Sequence, residues 1–256
     1  MRKSSHFVLV HGASHGAWCW YKIRTVLECI GHKVSCPDLR GSGADAGDPN
    51  HIMSFQEYNQ PLDDILAALP TGEKIILVGH SAGGLSVMEA IRKYPATIQV
   101  AVFVAGIMLK NGFQNHQDMA FVTVKEPNLF EFGYHHGHDH PPTSAILKKE
   151  FQRQILFNNS PLEDCTLAAM MLRPFPTIAL RDKKISEGND VEKVARVYIK
   201  TMHDNIYSKE MQEYLIQQWP PAEVYEIATD HSPMFSAHLD LLALLLKVAT
   251  NLGLSD

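Results

Sequence analysis

The sequence predicts an α/β fold in which a mostly parallel sheet is covered by helices on both faces and a helical cap is inserted in the middle of the chain. Three observations carry that expectation. Short runs rich in β-branched residues alternate with segments whose apolar residues recur at helical spacing, in the first half and again near the end. Between residues 110 and 184 the alternation stops, and Met, Phe, Pro and His become frequent. The pentapeptide Gly79-His80-Ser81-Ala82-Gly83 stands between a strand-like run and a helical one.

In order, residues 7–10 form the first strand, and a His-Gly turn leads to a helix over 17–30. Residues 33–36 make a second short strand that runs into the glycine-bearing loop 37–43. Ser54 caps a helix extending towards residue 69, with Glu57 completing a capping box, and Pro70-Thr71-Gly72 stops it. Residues 74–78 form the strand before the pentapeptide, 84–91 the helix after it, and 100–105 the next strand. Helical pieces are expected at 143–156 and 161–172. A strand at 196–200, a helix at 209–217, a last strand at 224–228 and a closing helix at 239–249 complete the chain. The core therefore comprises 1–109 and 185–256, with 110–184 as a cap excluding water and shaping a pocket, all in one structural unit.

A chain of 256 residues can bury a sizeable core, about three quarters of its unfolded surface. A hydrophobic content of 45% with 20% charged residues is ordinary for a soluble globular protein. A net charge of −5, with no basic run or stripe, argues against a nucleic-acid partner. No apolar stretch approaches the length that spans a bilayer, and the N-terminus runs straight into a strand, leaving no room for a signal peptide. Cys19, Cys29, Cys36 and Cys165 show no paired spacing, so they are expected as reduced, mostly buried thiols of a cytoplasmic protein.

A strand, a tight G-x-S-x-G turn and a helix together make a nucleophile elbow. The glycines at 79 and 83 serve a backbone that is strained and passes close to its neighbours, while the turn thrusts the Ser81 hydroxyl clear of the chain. A serine hydroxyl needs a base to take its proton and a third group to orient that base. On such a sheet the order along the chain is nucleophile, acid, base, the acid after a late strand and the base after the last. Asp204 and His231 occupy those places. Among 14 histidines, His203 precedes the last strand and His238 begins the closing helix, so neither suits the base. Asp230 is adjacent to His231 but points elsewhere along an extended chain, and Asp182 and Asp190 precede the late strand. The oxyanion hole should come from two backbone amides, at Ala82 directly after the nucleophile and at Ala13 in the loop after the first strand. Candidates to line the pocket are Gly12, Ile107, Phe121, Phe130, Phe132, Phe157 and Met234. The run His135-His136-Gly137-His138-Asp139-His140 has neither a helical H-E-x-x-H nor a nearby cysteine, and reads as a polar loop rather than a metal site. No cofactor is expected.

The opening His6-Phe7-Val8-Leu9-Val10-His11-Gly12-Ala13-Ser14-His15-Gly16-Ala17-Trp18, with Gly31-His32-Lys33-Val34 and Val78-Gly79-His80-Ser81-Ala82-Gly83-Gly84, resembles the plant methylesterase family of α/β-hydrolases. The resemblance spans nearly the whole chain, through Arg196-Val197-Tyr198-Ile199 and Asp230-His231, and is weakest from 111 to 140. It implies Ser81, Asp204 and His231 as nucleophile, acid and base, in agreement with strand order. It also implies esterases of methyl salicylate, methyl jasmonate and methyl indole-3-acetate, and polyneuridine aldehyde esterase, as kin, and relatives that often form homodimers. The related hydroxynitrile lyases resemble one another in carrying a threonine where Gly12 stands and a lysine where Ser232 stands. Glycine and serine here point to hydrolysis of a methyl ester of a small plant hormone or specialised metabolite through an acyl-enzyme. The alternatives are hydrolysis followed by decarboxylation, or a lyase or cyclase using the histidine as acid and base. A binding protein or receptor built on this fold has no need of all three groups.

Overall fold

Strand β1 (His6–Val10) is buried along its whole length and sends alternate residues to two cores. Phe7 and Leu9 join one cluster, Val8 and Val10 the other. That division follows from the two-residue period of a strand covered on both faces. The structure is a computed structural model and describes residues 4–114, 118, 127–181 and 191–252.

A short 3-10 turn, Ala17–Trp20, leads into helix α1 (Tyr21–Cys29), which buries Ile23 and Leu27 against the Phe7 and Leu9 side of the sheet. Strand β2 is Lys33–Ser35. Helix α2 (Phe55–Ala67) starts where the sequence predicts: the Ser54 side chain accepts from the Glu57 amide, satisfying an otherwise orphaned donor. Strand β3 (Ile75–His80) feeds α3 (Gly83–Lys93), and β4 (Ile98–Val104) follows.

The stretch between β4 and the late strands contains more than helices. Strands β5 (Phe130–Gly133), β6 (Ser144–Leu147) and β7 (Phe175–Pro176) form a small antiparallel sheet. Helices α4 (Lys149–Ile155), α5 (Leu162–Met171) and α6 (Thr177–Arg181) accompany it. The helix expected over 143–156 is thus a strand followed by a helix. Ser144-Ala145-Ile146-Leu147 is a short apolar run, which periodicity alone assigns to either state. Pairing with Phe130–Gly133, Glu131 opposite Ile146, decides for the strand.

Strand β8 (Ala195–Thr201), helix α7 (Lys209–Gln218), strand β9 (Glu223–Ile227), the short helix α8 (Pro233–Ser236) and helix α9 (His238–Asn251) complete the described chain. The main sheet has the order β2-β1-β3-β4-β8-β9, and every neighbouring pair is parallel. All carboxyl ends therefore lie along one edge, where loops collect chemistry in sheets of this kind. Among the described residues no helix is long and apolar enough to cross a membrane. The four cysteines are free, but Cys19 alone is fully buried. Cys29 ends α1 in the open, and Cys36 and Cys165 are half-buried, so burial of the thiols is less general than expected.

Candidate active site

Ser81 follows the last residue of β3 and has φ of 53°. The strain that the sequence assigns to the flanking glycines thus falls on the serine itself, a left-handed conformation rare for a residue with a side chain. The turn is held by its own backbone: Ser81 N donates to Val104 O (3.1 Å), and Ser81 O accepts from Gly84 N and Ile107 N, both at 3.0 Å. Gly83 answers a different need. A Cβ there would lie 2.5 Å from the carbonyl oxygen of His11, so only glycine lets the elbow helix press against the loop after β1.

That loop is pinned by two histidines. His11 Nδ1 donates to Gly12 O (2.8 Å), while its Nε2 accepts from Leu39 N (3.1 Å). His15 Nδ1 donates to Ala13 O (2.9 Å). Burial pushes both imidazoles below the usual histidine range, His15 to about 4, so each stays neutral and keeps one ring nitrogen as an acceptor. Gly12 lies directly against Ser81: a Cβ at this position would come 2.9 Å from Ser81 Cβ and 3.0 Å from His80 Nδ1. The loop therefore approaches the serine through backbone, which suits amide donors.

Asp204 stands in the turn after β8, and its carboxylate has two tasks. Oδ1 accepts from the amides of Ile206 (2.7 Å) and Tyr207 (2.8 Å), closing the turn. Oδ2 accepts from His231 Nδ1 at 2.7 Å and from Thr201 Oγ1 at 2.8 Å. Burial raises the carboxyl's pKa. The charge and hydrogen bond of His231, with the Tyr207 amide and the Thr201 hydroxyl, outweigh that effect and leave it below its ordinary value. With Nδ1–H donating to the carboxylate, the other ring nitrogen of His231 is left as an acceptor. The His231 ring also lies 4.8 Å, centroid to centroid, from that of His80, the residue before Ser81.

The rejected partners are placed elsewhere. His203 is exposed, with its amide bonded to Thr229 O, and His238 opens α9. Asp230 is fully buried and its carboxylate is taken up by Asn159 N, Ser160 Oγ, Ser232 N and Ser236 Oγ, at 2.6 to 3.0 Å. Asp182 and Asp190 lie outside the described residues. Among the described residues no group of three or more His, Cys, Asp or Glu is arranged to hold a metal ion. The 135–140 loop instead meets the turn Pro49–His51 at the surface, where His135 and His51 approach Nε2 to Nε2 at 3.0 Å.

Ser81, His231, Ala13 and Ala82 all line one cavity of about 640 Å³, a volume ordinary for a small-molecule site. Ile107, Phe130 and Phe132 are in its wall, as the sequence suggests. Phe121 lies outside the described residues. Gly12, Phe157 and Met234 are not in the wall, which corrects the sequence expectation for all three. Gly12 is packed beneath Ser81 Cβ. The Phe157 ring is turned into the core, 6.0 Å from the rings of both His15 and Phe235, and Met234 is fully buried in that same cluster. Their places are taken by Leu129, Leu147, Leu156, Phe175 and Leu180 from the 110–184 stretch, and by Ile206, Tyr207 and Met211 after the acid. The positions just after Asp204 could have been anticipated, because a turn that presents the acid also presents its neighbours.

A model of the alpha/beta hydrolase family matches residues 7–244 of the chain. Methylesterase 17 of Arabidopsis thaliana is 46% identical over 259 residues, covering 98% of this chain and 94% of its own. A pheophorbidase of Raphanus sativus is 44% identical over 251 residues, covering 97% and 95%. The crystal structure of methylesterase MES16 from Arabidopsis superimposes with a TM-score of 0.88 at 42% identity, covering 96% of this chain and 99% of that one.

Proposed function

The chain belongs to the alpha/beta hydrolase family, and from that premise we propose that it is a serine carboxylesterase that cleaves the methyl ester of a small, largely apolar plant acid, a hormone or specialised metabolite. Its relatives at 46% and 42% identity are named as methylesterases. The observation that carries the reading is the His231 Nδ1 to Asp204 Oδ2 bond of 2.7 Å, held at the wall of the cavity that also receives Ser81.

In this mechanism Ser81 Oγ attacks the ester carbonyl carbon as its proton passes to His231 Nε2. Asp204 holds the imidazole in the tautomer that accepts there and stabilises the imidazolium. The amides of Ala13 and Ala82 donate to the tetrahedral oxygen. Collapse breaks the bond to the methoxy oxygen, which takes the proton from His231 and leaves as methanol. Water then gives a proton to His231 and attacks the acyl-enzyme. The acid is released as Oγ recovers its hydrogen.

The 110–184 stretch serves as the cap, since much of the apolar wall comes from it, and its side chains select the acyl group. Residue 232 is a buried serine and brings no positive charge beside the base, which favours hydrolysis over cleavage that expels an anion. Four free thiols fit residence in the cytoplasm, and a homodimer is the expected assembly, checked by sedimentation. The direct test is methanol release from a panel of methyl esters. Ser81→Ala is expected to lower kcat by about 10⁴-fold or more; equal turnover by the two proteins removes the mechanism.

A further inference from the structure

Tyr207 reaches all three residues of the proposed triad. Its backbone amide donates to Asp204 Oδ1 at 2.8 Å, which fixes its position in the turn after β8. Its ring stands edge-on to the His231 imidazole, with centroids 5.3 Å apart and planes at 88°. Its hydroxyl shares a hydrogen bond with the Ser81 side chain. The residue is almost wholly buried, yet it forms part of the cavity wall beside Ser81 and His231. Another buried tyrosine, Tyr198 on β8, has a hydroxyl with no partner among the described residues and a ring in the core. The contact at Tyr207 is therefore not a general feature of buried phenols in this chain.

We propose that Tyr207 is a fourth catalytic residue, whose phenol donates a hydrogen bond to Ser81 Oγ and stabilises the charge that gathers there. The inference rests on the esterase reading above. Burial pushes the phenol well above its ordinary pKa, so it keeps its proton and can only lend it. The esterase reading requires Ser81 to donate to the free nitrogen of His231, which leaves its oxygen to accept from Tyr207. As the Oγ–H bond breaks, its proton goes to His231 and the Oγ–carbon bond forms. The phenol bond strengthens while Oγ carries partial negative charge, because hydrogen bonds to charged acceptors are the strong ones. An interaction stronger in the transition state than before it raises kcat. In deacylation the same oxygen is the leaving group: the Oγ–acyl bond breaks, the charge returns to Oγ, and the proton comes back from His231. One donor thus serves both half-reactions.

The test compares Tyr207→Phe, which keeps the ring against His231, with Tyr198→Phe as a control for deleting a buried phenol. The probes are p-nitrophenyl acetate and, for direct reaction at Ser81, diethyl p-nitrophenyl phosphate. Tyr207→Phe is expected to lower kcat about tenfold or more, with KM within about twofold. Phosphorylation of Ser81 should slow by the same factor, Tm should hold, and Tyr198→Phe should match wild type. A packing role would not move the phosphorylation rate at constant Tm. Unchanged or faster phosphorylation in Tyr207→Phe overturns the proposal. If that variant does not fold, 3-fluorotyrosine at 207 keeps ring and hydroxyl but donates more strongly. Faster phosphorylation, by about twofold, then supports the role and an unchanged rate overturns it. The wider reading fails separately: there wild type and Ser81→Ala turn over esters alike, whatever Tyr207→Phe does.

Discussion

His80 donates through Nε2 to the backbone carbonyl of His231 at 2.7 Å, so the residue preceding Ser81 holds the loop that carries the His231 imidazole. Both side chains are buried. Burial, then the neighbouring histidines His231 and His15, keep the His80 imidazole far below its ordinary pKa, hence neutral. The bond joins the end of β3 to the loop after β9, strands with two others between them in the sheet whose carboxyl ends its topology brings to one edge.

His80→Ala removes that bond and a filled volume together. Unfolding free energy is expected to fall by about 2–4 kcal/mol. A loosened base should lower kcat by roughly ten- to a hundredfold with little change in KM. Urea unfolding and steady-state kinetics on one preparation check both parts.

Asp204→Asn keeps the shape of the turn but places an amide against His231 Nδ1, favouring the tautomer that cannot accept the serine proton. The expected loss in kcat is about 10⁴-fold. An intact Tm in the same variant would show that the loss is chemical; activity near wild type would exclude Asp204 as the orienting acid.

Gly12→Ala tests how closely the loop after β1 lies on the nucleophile. Its Cβ would meet Ser81 Cβ at 2.9 Å, and neither neighbour is the free end of a flexible chain. The loop must shift, carrying the Ala13 amide with it, so kcat is expected to drop at least tenfold, roughly the loss of part of one oxyanion donor. Kinetics equal to wild type would show that the loop yields without consequence.

Stability should fall in acid before the carboxylates titrate. His11, His15 and His80 are all buried with pKa values lowered chiefly by desolvation. Their unfolded values lie near 6.5, so the unfolded chain binds more protons than the folded one below that pH. The stabilising contribution is full above about pH 6.5 and is lost as pH falls through the folded values. For His15 the fall from 6.5 to about 4 corresponds to roughly 3 kcal/mol. Urea midpoints should be clearly lower at pH 5 than at pH 7.5, and equal midpoints would contradict neutral burial.

The strands and helices of the main sheet are legible because each is announced locally: β-branched runs at 75–78 and 197–199, a capping serine at 54, Pro70 at a stop. The placing of Ser81, Asp204 and His231 along one edge follows from strand order, which chain order constrains strongly. The small antiparallel sheet was hidden because Ser144–Leu147 becomes a strand through a partner more than ten residues earlier, not through its own pattern. Phe157 and Met234 depart from the sequence expectation for a related reason. An aromatic or Met residue looks alike in sequence whether it faces a cavity or a core, and the rings of His15 and Phe235 decide for Phe157. Nothing in the sequence singles out Tyr207, because its hydroxyl meets a serine far away in the chain.

Asp230 ties the loop of His231 to Asn159 and Ser160, which lie between α4 and α5 above the sheet. The 159–160 segment and the His231 loop are thus joined through one side chain. A displacement of residues 159–160 is therefore felt at the backbone beside the imidazole, because one carboxylate grips both.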